Sequence, residues 1–257
     1  MKIQFIIRKL FLVVFTGLTT GVSSAQTIDL TRASVIISES INSPVKETLL
    51  RVLQEEVYQR TSVKLQHASD WGKNPVIALA TIKDIEINGK KVPKQTGYNL
   101  PEIKAEGFRI FADKADGKDI LWLIGADERG ALFSVGQFLR SAGLSKNKVL
   151  FNISDEIATS PAYPIRGHQL GYRNTANSWD AWTVSQYESY IRELALFGSN
   201  CIENIPFQDG PPGPNMKVPR EEMNREMSRI CNNYGLDYWV WTPADVDLAD
   251  DENFSTE

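Results

Sequence analysis

Three side chains in the second half of this 257-residue chain lie on predicted strands or at their carboxyl ends and could hold a hydroxyl-rich ring: Arg173, Glu203 and Trp241. A guanidinium presents a planar fork that can bond two hydroxyls at once. A carboxylate accepts hydrogen bonds from others, and an indole can stack on the apolar face of a pyranose. Each residue also has a plainer reading. Arg173 could be a solvated loop arginine, and Glu203 could form an internal ion pair or hydrogen bond with Arg166 or His168. Trp239 shares a strand face with Trp241 and is expected to pack in the core, whereas Trp241, nearer the carboxyl end, is the platform candidate. Trp179 and Trp182 follow the first of these strands, and either line the same cleft or staple the helix that comes next.

Other chemistry is poorly supported by residue type and spacing. His168 falls in mid-strand and is expected to be a satisfied core histidine, not a catalyst. With His67 as the second histidine and no ligand spacing around either, no zinc site is expected. The run Asp245, Asp247, Asp250, Asp251, Glu252 lacks the glycine and terminal glutamate of a calcium loop and reads as a solvated loop. Gly125 and Gly130 do not complete a dinucleotide fingerprint, because the anion-cradling glycines are missing. No cofactor is therefore expected. Cys201 and Cys231 are the two cysteines, too few for a disulfide framework, and are expected as buried free thiols.

The elements that must position these residues fall into two groups. Val35 to Ser38 is a short β-branched run, and Ser43 is expected to cap a helix with Pro44 in its first position. Val45, Leu49, Val52, Leu53 and Val57 then recur at helical spacing to about Arg60. Strands are expected at Val63 to Gln66, Val76 to Leu79, Gly107 to Ala112 and Ile120 to Gly125, the last two as a hairpin around Asp116-Gly117. Asp127 should cap a second helix with Ala131, Val135, Phe138 and Ala142 on one face and Gly143 at its end. This order predicts a small α/β sandwich over residues 28–158 with a mostly hairpin-connected sheet. Past the proline-rich stretch Thr159 to Pro164 come strand Ile165 to Tyr172, a helix from Val184 to Phe197, strand Cys201 to Ile205, a helix from Arg220 to Tyr234 and strand Tyr238 to Trp241. Strands alternating with helices imply parallel pairing, here of about three strands over residues 159–257.

The amino end reads as a secretory leader. Lys2, Arg8 and Lys9 flank an apolar run from Leu10 to Phe15, and small residues lead to a cleavage site expected after Ala25. That predicts a secreted or periplasmic protein with no membrane contact once the leader is removed. Loss of those three bases from 28 Lys+Arg, against 32 Asp+Glu, moves the formal net charge from -4 to -7. Nucleic acid is not an expected partner of so acidic a surface.

Two stretches resemble a known family. GADERGALFSVGQFLR, from Gly125 to Arg140, is similar to the end of the small domain that precedes the catalytic barrel in glycoside hydrolase family 20 and its relatives, the α-glucuronidases and the enzymes that remove O-linked N-acetylglucosamine. Pro161 to Arg173 resembles the first barrel strand of family 20, with its proline-rich lead, Arg166-Gly167 and later Arg173, and Gly198-Ser199-Asn200 resembles the approach to the second. The resemblance implies an accessory domain followed by the start of a (β/α)8 barrel, incomplete at about three strands. It implies a carbohydrate substrate and a sugar-hydroxyl contact for Arg173. The Arg166 to Arg173 spacing is one residue shorter than usual, and Gln169 or Leu170 stands where the family has an Asp. The family's catalytic Asp-Glu pair follows the fourth strand, so no residue here inherits the catalytic role, and the chain alone is expected to be inactive. The alternative from a different class is a non-catalytic carbohydrate-binding or interaction module.

Overall fold

A computed structural model describes residues 27–94, 101–152, 156–170, 182–204 and 217–240. In chain order the elements are β1 (Thr27–Asp29), β2 (Ser34–Ile37), α1 (Val45–Thr61), β3 (Gln66–His67), β4 (Val76–Thr81), β5 (Glu86–Ile87), β6 (Lys90–Lys91), β7 (Phe108–Ala115), β8 (Lys118–Gly125) and α2 (Glu128–Ser141). They continue with β9 (Gly143–Ser145), β10 (Lys148–Asn152), β11 (Ile157–Thr159), β12 (Gly167–Leu170), α3 (Val184–Leu196), β13 (Cys201–Asn204), α4 (Arg220–Tyr234) and β14 (Asp237–Val240). The chain is mixed α/β. Among the described residues no helix is long and apolar enough to cross a membrane.

The first half is built on a six-stranded sheet in the order β11-β7-β8-β4-β2-β3. β7 and β8 form the expected hairpin, in register from Phe108↔Gly125 to Ala115↔Lys118. The rest corrects the expectation of a mostly hairpin-connected sheet, because β3, β2, β4 and β8 run parallel. All six residues of β4 are buried, the continuous apolar pattern of a strand covered on both faces, which favours parallel pairing under helices. The expected strand Val63 to Gln66 is also corrected. Only Gln66–His67 pairs, while Val63 and Leu65 turn inward to the core. A separate antiparallel sheet β1-β10-β9, unforeseen in the sequence, closes one side.

Both helix ends of this half differ from expectation in one detail. Pro44, not Ser43, occupies the N-cap of α1 without a side-chain cap, and the Ser43 hydroxyl instead donates to Glu47 Oε1 at 2.9 Å. Asp127 caps α2 as expected, accepting from Gly130 N at 2.8 Å. Gly143 does not end that helix. Ala142 leaves it in extended conformation, and Gly143 already belongs to β9.

The GADERG stretch has a steric explanation. A Cβ on Gly130 would sit 2.2 Å from the Gly107 carbonyl oxygen, and one on Gly125 would sit 2.2 Å from Ala131 N. The start of α2 is thus pressed onto both strands of the hairpin, an approach only glycine permits.

Beyond β11 the chain passes to a second sheet in the order β12-β13-β14, parallel throughout as predicted. The crossovers α3 and α4 lie between this sheet and helices α1 and α2, and one apolar core runs from Val35 and Leu49 to Ile191 and Met227. The closest approach is at Gly136 of α2, where a Cβ would lie 2.0 Å from the Leu196 carbonyl oxygen of α3. Cys201 and Cys231 are both buried and free, as expected. Burial pushes the Cys231 thiol up to about 12.

Candidate functional site

Strand alternation sorts the second sheet into two faces. His168, Ile202 and Tyr238 stand in register and look toward the helices. The His168 ring meets Tyr190 edge-on at 5.6 Å, and the Tyr238 hydroxyl bonds Asn224 Oδ1. Burial raises the Tyr238 phenol above its ordinary range. Gln169, Glu203 and Trp239 stand in register on the opposite face. There Glu203 is half-buried and Trp239 is 45% exposed.

This geometry decides several expectations. Trp239 is not a core residue, because the alternation that buries Tyr238 against α4 turns the indole the other way. Glu203 does not pair with Arg166 or His168. His168 is on the other face, and Arg166 Nη2 bonds Glu106 Oε2 at 2.5 Å. Trp182 packs at the start of α3 with ring centroids 5.5 Å from both Tyr187 and Tyr190, beside a capping box formed by Thr183 and Gln186. With Gln186, Ser189 and Glu193, Trp182 and Tyr190 line an open hollow of about 330 Å³ on α3. Arg173, Trp179, Trp241 and the acidic run from Asp245 lie outside the described residues.

The row Gln169, Glu203, Trp239 offers an amide, a carboxylate and an indole side by side. Such a set can bind a polyol by hydrogen bonds and stacking. It is not an acid-base pair. Asp237 shares the face two residues before Trp239, but Arg129 holds its carboxylate through its two terminal guanidinium nitrogens. Among the described residues no group of acids, histidines and cysteines could hold a metal ion.

The residue that the sequence reading overlooked is Glu106. Its carboxylate, 16% exposed, accepts from Arg129 Nη1 at 3.0 Å, from Arg166 Nη2, and from Asn200 Nδ2 at 3.1 Å to each oxygen. Burial alone would raise this carboxyl, but the bonds from Arg166, Asn200 and Arg129 hold it below its ordinary value. Asn200 in turn accepts from Arg166 N at 2.8 Å and donates to the Pro164 carbonyl at 2.6 Å. Gly167 follows Arg166 because a Cβ there would meet Cys201 Sγ at 2.5 Å. The Arg-Gly and Gly-Ser-Asn motifs thus serve the amino ends of the strands, the side where barrel-like sheets keep stability rather than chemistry. The one local signal for Glu106 was its position before Gly107 at the start of a strand.

The sequence matches no family model and no curated protein. Solved structures do resemble it. A β-N-acetylhexosaminidase from Bacteroides fragilis is similar over 84% of this chain and 42% of its own, with a TM-score of 0.54 and 14% identity. The N-acetyl-β-hexosaminidase of Streptomyces plicatus is similar over 83% and 42%, with a TM-score of 0.53 and 14% identity. A family GH115 4-O-methyl-α-glucuronidase with specificity for decorated arabinogalactans is similar over 82% and 29%, with a TM-score of 0.52 and 17% identity. The chain therefore spans less than half the length of each of these enzymes. It has the fold of the amino-terminal region of a family 20-like glycoside hydrolase.

Proposed function

We propose that this chain is the amino-terminal part of an exported glycoside hydrolase that degrades a polysaccharide or glycoconjugate. In this reading residues 1–25 are a leader cleaved after Ala25, residues 28–158 an accessory domain, and residues 159–257 the first units of a (β/α)8 barrel. The observation that carries it is the parallel β12-β13-β14 sheet, joined through α3 and α4 and set directly after a helix-backed mixed sheet. That arrangement aligns with 42% of a hexosaminidase at a TM-score of 0.54. The row Gln169, Glu203, Trp239, which no apolar cluster covers among the described residues, adds chemistry suited to sugar. Arg173 and Trp241 follow β12 and β14 in the sequence and are assigned to the same substrate by the family resemblance, since barrel enzymes hold their substrates at the carboxyl ends of the strands. Hydrolysis needs an acid and a second group at the anomeric centre, and these are assigned to later barrel units.

The test begins with the nucleotide sequence downstream of codon 257, where an in-frame run of further β/α units is expected. The product of that longer frame should hydrolyse an aryl hexosaminide or uronide, and Arg173→Ala should lower kcat/KM by about a hundredfold, the value of a lost bidentate contact. Turnover by the 257-residue polypeptide on its own would overturn the assignment of the acid and base to later units. The alternative of a freestanding sugar-binding module is disfavoured by the core shared between α1, α2, α3 and α4, which ties the first half to the parallel sheet.

A further inference from the structure

Glu106 stands in the turn before β7 with φ at 60°, a left-handed conformation that a non-glycine residue adopts only when its surroundings impose it. The turn is fixed from the first half, where Glu106 N donates to Asp127 Oδ2 at 2.8 Å. The residue after it cannot carry a side chain, since a Cβ on Gly107 would lie 2.8 Å from the Thr159 carbonyl oxygen. The carboxylate is thereby held at one place relative to the first sheet.

Its partners are not scattered. Arg166 is the residue before β12, Asn200 is the residue before β13, and Asp237, joined through Arg129, opens β14. The backbone follows the same line, with Asn200 N donating to the Arg166 carbonyl at 3.0 Å and Asp237 N to the Asn200 carbonyl at 2.9 Å. One carboxylate of the first half is therefore bonded to, or one guanidinium away from, the amino end of every strand in the parallel sheet.

We propose that Glu106 is a positioning residue that sets β12, β13 and β14 relative to one another, so that the row Gln169, Glu203, Trp239 is aligned from the first half of the chain. The use of that row for sugar rests on the glycosidase reading. The alignment itself does not. The first half then acts as a brace for the strands, and the Arg-Gly and Gly-Ser-Asn motifs are its attachment points.

Amide hydrogen exchange read by mass spectrometry on the 257-residue chain tests this. In Glu106→Ala the amides of Cys201–Asn204 and Asp237–Val240 should exchange about a hundredfold faster, while those of Val76–Thr81 and Lys118–Gly125 change less than about tenfold. Glu106→Gln, which keeps an oxygen acceptor but no charge, should fall between. Adding Arg166→Ala to Glu106→Ala should accelerate exchange in β13 and β14 by less than the two single effects combined, because the Glu106–Arg166 contact is lost in either one, while Arg166 also bonds the Gly198 and Tyr163 carbonyls. Equal acceleration in all four segments would make Glu106 an ordinary stabilising residue and overturn the proposal, as would unchanged exchange in β13 and β14. If Glu106→Ala does not fold, Glu106→Gln and Arg166→Ala carry the same comparison. A failed glycosidase assay would leave this exchange pattern untouched, so the two readings fail separately.

Discussion

Trp122 and Trp239 each occupy the middle of a strand in one of the two main sheets, and their surroundings differ completely. Trp122 of β8 is flanked in register by Ala78 and Phe111, is fully buried, and packs against Trp71 at 5.7 Å. Trp71 is fixed by its Nε1–H bond to the Ile87 carbonyl at 2.8 Å. Trp239 of β14 lies beside Glu203 and is 45% exposed. The first sheet is covered on one face by α1 and α2 and on the other by the β5-β6 hairpin and the Trp71 loop. The second is covered by α3 and α4, and its other face has no second apolar cluster among the described residues. The first sheet buries its tryptophan in a core, and the second leaves one half exposed.

Substitution should separate the two sheets sharply. Trp122→Ala is expected to cost about 3–5 kcal/mol of unfolding free energy, the usual loss for a large buried ring, measured by urea denaturation. A cost below about 1 kcal/mol would show that the first sheet is not closed around it. At the seam between the halves, Gly136→Val would drive a side chain into the backbone of α3 at Leu196. A loss of about 3 kcal/mol is expected there, because backbone cannot yield as a rotamer can, and near-neutrality would break the claim of one continuous core.

A third measurement follows the thiols. Cys231 holds its proton up to about 12, from an ordinary value of 9.0. Between those values the folded chain binds more protons than the unfolded chain, so stability falls as pH rises through the window. The slope for one such group is about 1.4 kcal/mol per pH unit. Cys231→Ser should flatten it, and an aromatic disulfide reagent should label both cysteines only after unfolding. Rapid labelling of the native chain would mean that α4 does not stay packed on the parallel sheet. The smallest effect on stability belongs to the exposed face. Trp239→Ala should change unfolding free energy by no more than about 0.5 kcal/mol, while weakening sugar binding by the longer product in calorimetry. A large destabilisation would place Trp239 in a core and remove the contrast with Trp122.

Much of the fold was legible because its signals are local. The apolar period of Val45 to Val57, the Asp127 cap and the Asp116-Gly117 turn each act within a few residues, and the corresponding elements stand close to their expected limits. The two- and three-residue strands β1, β3, β5, β6, β9 and β11 carry too few residues to show alternation, and most were missed. The direction of pairing of β2, β4 and β8 was misjudged because a fully buried strand has no period to read. Of the three sugar-contact candidates only Glu203 falls among the described residues, with its strand and face now assigned.

What the sequence determined by itself, then, was the order of the helices and of most of the longer strands, with the parallel run of the last three, since caps, turns and apolar periods act over short stretches of chain. Which face each strand shows, and the convergence of Arg129, Arg166 and Asn200 on Glu106, were decided only in three dimensions. Arg166 and Asn200 lie 60 and 94 positions from that carboxylate. No local pattern encodes a contact across such separations; it exists because packing of the helix layer brings the strand ends to one point.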